Sequence, residues 1–260
     1  MNLRYIYTGI HNTSPTEYTK DQDYCWDFNT NFISDYLSRK VRKLKIDVPE
    51  FNMLNITVCK RPKMKHDLYA FLKSLNVYLP FSQGDMDNLT RITNFTERIE
   101  AYLSIYEKGY YLANEYCDIP VGILLGLHQQ FREEGYRHEW LFKKKIIKEY
   151  GIYVFFKCYF TSIDFRLELE VYNQKPTILL TKGVVLQKLP DWICFGKDFN
   201  KGIQIDGNKM YLLDFLEERA FEFDLEQLSN GIFNVKVLGY NATRNSSEYL
   251  NYLNRINWMK

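Results

Sequence analysis

The period of the hydrophobic pattern changes part-way along this chain. In the first part it is helical. From Phe28 onward, Phe32, Ile33, Tyr36, Leu37, Val41 and Leu44 recur at three- and four-residue spacing opposite Arg39, Arg42 and Lys43. Such a stripe predicts an amphipathic helix, with Asp27 or Asn29 available as its N-cap. Beyond Gly135 the period falls to two. Phe165, Leu167, Leu169 and Val171, preceded by Ile163, alternate with Asp164, Arg166, Glu168, Glu170 and Tyr172. That is the pattern of a strand with one buried and one wet face. Residues 152–160 are apolar on both sides and read as a more central strand, with residues 140–147 as a third member of an antiparallel meander.

The remaining elements follow from shorter signals. Leu3, Tyr5 and Tyr7 alternate with Arg4, Ile6 and Thr8 and suit a short first strand, after which the polar residues 11–23, carrying Pro15, read as a loop. Ile56 and Val58 make residues 51–59 a second strand. Residues 66–75 are expected to form a short helix. The turn-forming Pro80, Ser82, Gly84, Asp85 and Asp87 predict an irregular connection over 77–91. Asn94 with Glu97 resembles a capping pair for a long helix bearing Ile99, Leu103 and Tyr106. Asp118 is expected to cap the next helix, with Pro120 in its first turn and Gly135 past its end. Its apolar residues, Ile119, Ile123, Leu124, Leu125, Leu127 and Phe131, cover most of its circumference. Gly122 and Gly126 would admit a neighbouring backbone, so a central buried helix is expected there. Further on, residues 173–176 suit a turn into a strand at 177–181, Asp206-Gly207-Asn208 and Asn230-Gly231 are hairpin signals, and residues 247–258 read as a terminal helix. The expected fold is therefore α+β: a helix-rich half over residues 1–135, then a mainly antiparallel β-meander over 136–260 closed by a C-terminal helix. One fused domain fits this pattern as well as two.

Composition narrows the class. The 260 residues are 46% hydrophobic, enough for a substantial core. No apolar run is long enough to span a bilayer, and the first residues lack a secretory leader pattern. A soluble cytoplasmic protein with no membrane partner is expected. Cys25, Cys59, Cys117, Cys158 and Cys194 are odd in number and contain no C-x-x-C pair, which points to reduced thiols. Phosphate-binding loops, the nucleophile elbow and the zinc-protease helix motif are all missing. Of the four histidines, His128 falls on the apolar helix as a hydrogen-bonded core residue, and His138 neighbours Glu134 and Glu139 without a ligand geometry. No catalytic residue, metal or cofactor is assigned. An enzyme would have to use the acidic loop of His11, Glu17, Asp21, Asp23 and Asp27, or a cleft between the two halves.

Charge distribution separates two functional readings. Between residues 36 and 65 nine basic residues face only Asp47 and Glu50, whereas residues 206–226 are acidic, within a net charge of +2. Arg39, Arg42, Lys43, Lys60 and Arg61 are the candidates for holding a nucleic-acid backbone. The second reading uses Asp164, Glu168 and Glu170, with Glu222, Asp224 and Glu226 on a similarly alternating stretch. In one sheet these would present a negative surface for a basic protein partner, such as a toxin domain. Together with 21 Tyr and 18 Phe, residue types enriched where proteins dock, this favours a non-catalytic cytosolic partner-binding protein of the toxin-neutralising, immunity type. The alternative is a nucleic-acid-binding protein, or a nucleic-acid-processing enzyme, using residues 39–65. The sequence leaves oligomeric state open.

Overall fold

A computed structural model describes residues 1–10, 18–190, 202–214 and 216–238. Helices and sheets are mixed, the strand pairings are mostly antiparallel, and no described helix is long and apolar enough to cross a membrane. The chain divides into two compact units, Met1–Arg137 and His138–Lys260.

The first unit contains β1 (Tyr5–Ile10), α1 (Lys20–Leu44), β2 (Met53–Cys59), β3 (His66–Tyr69), β4 (Ser74–Pro80), α2 (Gln83–Arg91), α3 (Phe95–Asn114) and α4 (Val121–Glu133). Its sheet has the order β1-β2-β4-β3, with β1, β2 and β4 parallel and β3 antiparallel at the edge. Parallel neighbours cannot be joined by a tight turn, and α1 is the crossover between β1 and β2. The expectation of a helix-rich α/β half over residues 1–135 is thereby corrected: beyond the two strands anticipated there, β3 and β4 are added and all four join in one sheet among the helices.

Helix α1 begins earlier than its apolar stripe suggested. Thr19 accepts from the Gln22 N–H through its hydroxyl, and the Gln22 side chain accepts from the Thr19 N–H in return. This reciprocal cap recruits Asp21 and Asp23 into the first turn, where carboxylates suit the helix dipole. Neither Asp27 nor Asn29 is the cap; Asn29 donates to the Cys25 carbonyl inside the helix. A second reciprocal cap, Ser82 with Asp85, starts α2 where an irregular connection was expected. For α3, Asn94 accepts from the Glu97 N–H as anticipated.

The sheet face bearing Ile6, Leu54, Ile56, Leu75 and Val77 is buried, and the Ser38 hydroxyl of α1 accepts from the Ile6 N–H. The close backbone approach occurs at Gly109 of α3, where a Cβ would stand 2.5 Å from Ile56 of β2. Nothing lies within 4 Å of that position at Gly122 or Gly126, so neither serves the packing role expected of it. Helix α4 is amphipathic rather than buried all round: Leu124, Leu127, His128 and Phe131 face inward while Ile123 is exposed. Pro120, not Asp118, occupies its N-cap, with no side-chain cap. Residues 66–75 also depart from expectation: they form β3, a turn and the start of β4.

The second unit contains β5 (Glu139–Ile147), β6 (Ile152–Phe160), β7 (Phe165–Asn173), β8 (Leu179–Lys188), β9 (Gly202–Asp206), β10 (Lys209–Leu213), β11 (Arg219–Asp224), α5 (Leu225–Ser229) and β12 (Lys236–Val237). The first four strands form the meander β5-β6-β7-β8, and the others form a separate sheet, β12-β11-β10-β9. Phe156 of one meets Phe223 of the other edge to face at 5.8 Å. The Phe233 ring lies against Gly183 of β8, where a side chain would collide with it. Gly207 (φ 57°) turns the β9–β10 hairpin. Asn230-Gly231 instead terminates α5, correcting the hairpin reading. The expected helix at 247–258 and Cys194 lie outside the described residues.

Candidate functional site

The two-residue period of β6 and β7 sends Val154, Phe156, Cys158, Leu167, Leu169 and Val171 into the core. Tyr153, Phe155, Lys157, Tyr159, Arg166, Glu168, Glu170 and Tyr172 therefore share the opposite face. Antiparallel register sets Lys157 against Glu168, Phe155 against Glu170 and Glu170 against Lys182.

Long side chains then close a ladder of ion pairs along the diagonals. Lys157 Nζ lies 2.6 Å from Glu170 Oε2, and Lys182 Nζ lies 2.9 Å from Glu168 Oε2. Arg166 spans Asp164 at 3.2 Å and Glu168 at 3.4 Å. Tyr172 donates to Glu170 at 2.8 Å, and Gln187 donates to Asp164 at 2.6 Å. The carboxylates sit beneath their partners: Glu168 is 4% and Glu170 6% exposed. Burial opposes ionisation of Glu170, but the bonds from Lys157 and Tyr172 outweigh it and hold its pKa below the usual carboxylate value. The bond to Glu170 raises Lys157, and the bond to Glu168 raises Lys182, above the ordinary ammonium value, in each case against partial desolvation.

Between the charges runs an aromatic and aliphatic surface. Phe155 meets Tyr172 edge to face at 5.5 Å, and Tyr159 has Arg166 and Lys182 at 5.7 and 5.8 Å from its ring centre. Leu141, Ile146 and Val184, paired with Lys157, Tyr153 and Glu168 in register, are exposed on this face. Charge on this face is balanced, and most of it is already paired.

The second acidic group is elsewhere. Glu222 and Asp224 belong to β11, in the other sheet, and Glu226 lies in α5. The six acidic residues therefore do not form one surface. Asp224 accepts from the Glu226 and Gln227 N–H groups, capping α5, and pairs with Lys209 at 2.9 Å.

The basic region is also divided. Arg39 pairs with Asp35 at 2.6 Å, the Arg42 guanidinium lies over the Tyr5 ring at 5.4 Å, and Lys43 is exposed in the last turn of α1. This is the end of the sheet where β1 and β2 begin. Lys60 and Arg61 follow the last residue of β2, at the opposite end, with Lys60 over the Tyr18 ring at 5.0 Å. A strand of seven residues separates the two groups, roughly 20 Å.

His128 is 0% exposed between α3 and α4. Its ring nitrogens meet Glu107 at 3.2 Å and Tyr110 at 3.1 Å, while Arg132 bridges Glu107 and Glu100 and Tyr136 donates to Glu100 at 2.6 Å. Burial lowers the His128 pKa against the opposing pull of Glu107. The seven-residue spacing of Glu100 and Glu107, and the four-residue spacing of His128 and Arg132, carried this helix clamp in the sequence. His138 packs on Trp140 at 4.7 Å, and Glu134 accepts from Tyr36 and Lys40. Asp21, Asp23 and Asp27 lie in α1 rather than in a loop; His11 and Glu17 lie outside the described residues. Among the described residues no three His, Cys, Asp or Glu side chains cluster as metal ligands. No protein-family model, curated protein or solved structure matches the chain.

Proposed function

We propose that the chain is a non-catalytic binding protein that captures a protein partner on the open face of β5–β8. The observation that carries this reading is the mixture of exposed Leu141, Ile146 and Val184 with Tyr153, Phe155, Tyr159 and Tyr172 around ion pairs closed within the sheet. A partner covering this face gains apolar burial without having to desolvate isolated carboxylates, the usual cost of docking on a charged surface. Asp164, Glu168 and Glu170 then act chiefly by holding Lys157, Arg166 and Lys182 in place, and the partner recognises the aromatic centre more than a negative field. Within this class, neutralisation of a bacterial toxin in the cytoplasm is the role we assign.

The test is calorimetric titration against the product of the gene immediately upstream. Phe155→Asp and Val184→Asp should abolish binding while leaving the melting temperature within a few degrees of the parent. Undiminished binding by both variants would remove this face from consideration. The nucleic-acid alternative retains Arg42 and Lys43 at one end of the first unit's sheet.

A further inference from the structure

The β3–β4 hairpin ends in an apolar tip. Leu68, Tyr69, Phe71 and Leu72 are exposed, Phe71 by 95% and Leu72 by 62%. A water-soluble surface rarely presents so many large apolar side chains in sequence without a partner for them. The tip is nonetheless tied down by backbone hydrogen bonds. Leu68 and Tyr69 pair with Leu75 and Ser74, the Lys73 N–H donates to the Ala70 carbonyl at 3.3 Å, and the Lys73 carbonyl accepts from the Asn52 N–H at 2.8 Å.

Backbone bonds place this tip in a cationic setting. The Asn52 carbonyl accepts from the Arg4 N–H at 2.7 Å, and the Ile46 carbonyl accepts from the Leu3 N–H at 2.8 Å. The hairpin turn, the start of β1 and the end of α1 thus share one end of the sheet. Arg4, Arg42, Lys43, Lys45 and Lys73 lie there, opposed by Asp47, Glu50 and Asp118. Exposed Leu44 adds to the apolar area beside Asp47 and Asp118. Asp67, the nearest carboxylate to the tip in sequence, is turned into the sheet by bonds from Asn76 at 2.8 Å and Tyr78 at 3.0 Å.

We propose that this end of the first unit docks on an anionic lipid surface, with Phe71 and Leu72 entering the boundary between headgroups and acyl chains and the surrounding Lys and Arg side chains meeting the lipid charge. A projecting tip needs no complementary groove, which suits a fluid surface better than a folded partner. The turn's bonds to Ala70 and Asn52 reduce the number of backbone polar groups left unsatisfied on entry. This surface lies in a different unit from the β5–β8 face, so either reading can fail alone.

Co-sedimentation of the full chain with phosphatidylcholine vesicles, with and without phosphatidylserine, tests it. Binding is expected to require phosphatidylserine and to weaken as salt is raised. Phe71→Ser with Leu72→Ser should lower the partition at least about tenfold, and Lys43→Gln about fivefold. These positions are exposed, so both variants should keep the parent melting temperature. Absence of sedimentation at low salt, or equal partition of the tip variant, would overturn the proposal. So would a parent that is dimeric in light scattering and becomes monomeric on changing the tip, which assigns the tip to a second copy. DNA or RNA binding that depends on Lys43 but not on Phe71, without vesicle binding, would overturn it in favour of nucleic acid.

Discussion

Replacing Gly109 by alanine isolates how α3 meets the sheet. On an exposed helix position the change removes glycine's helix penalty and stabilises by about 1 kcal/mol. At Gly109 the new methyl would stand 2.5 Å from Ile56 Cγ1 and 2.6 Å from both Cδ1 and Cγ2. All are below any tolerated carbon contact, and Ile56 is itself fully buried. Overpacking of this kind costs about 1–3 kcal/mol, occasionally more. Three simultaneous contacts place it at the upper end, leaving a net loss of roughly 2 kcal/mol. Ile56→Ala removes all three opposing atoms and alone costs about 2–5 kcal/mol through the cavity it leaves. In that background Gly109→Ala fills space instead of colliding, so its effect should reverse sign. Urea unfolding of the four proteins of the cycle measures this as a coupling between the two sites. Gly122→Ala and Gly126→Ala in α4 are the controls, with nothing within 4 Å of the added carbon; each should stabilise by about 0.4–1 kcal/mol. If Gly109→Ala shifts the midpoint in the same direction as these controls, the close approach of α3 to β2 is wrong.

His128 gives a pH dependence of known sign. Its folded pKa lies below the ordinary 6.5, so just below that value the unfolded chain binds a proton that the folded one refuses; stability falls as pH drops through this window, by at most about 1.4 kcal/mol per pH unit. In His128→Gln that part of the slope should vanish from denaturant midpoints measured between neutral and mildly acidic pH, and an unaltered slope would place the titrating group elsewhere. Thr19→Ala removes the acceptor that starts α1 and should cost about 1 kcal/mol; loss of less than a few tenths would mean that the Thr19–Gln22 cap does not set the helix start. Glu170→Ala strips Lys157 and Tyr172 of a shared acceptor and should cost about 1–3 kcal/mol, while the Lys157 pKa returns toward its ordinary value in a lysine-detected NMR titration.

The parts of the fold legible in the sequence are those that depend on local geometry. Alternation from Phe165 to Val171 specifies a strand with one apolar face because successive side chains leave a pleated strand on opposite sides, whatever lies next to it. The stripe from Phe32 to Val41 specifies a helix for the corresponding reason. Capping was read correctly only at Asn94: Thr19-x-x-Gln22 and Ser82-x-x-Asp85 carry the same local signal, but the first helix was expected to start at Asp27 or Asn29 and residues 77–91 to be irregular. Residues 66–75 were not legible as strands, since β3 exists through pairing with β4, and β4 through pairing with β2, more than twenty residues upstream.

The candidate site divides along the same line. Sequence determined that Asp164, Glu168 and Glu170 leave the strand on its polar face. Tertiary structure decided that this face is not a negative surface, because register brought Lys157 and Lys182 across the carboxylates and placed Glu222 and Asp224 in another sheet. It also divided a run of basic residues between two ends of one sheet, and left Phe71 and Leu72 exposed where apolar composition alone suggests core. Side-chain direction is a property of the strand itself, whereas charge pairing and burial belong to whichever strand becomes its neighbour.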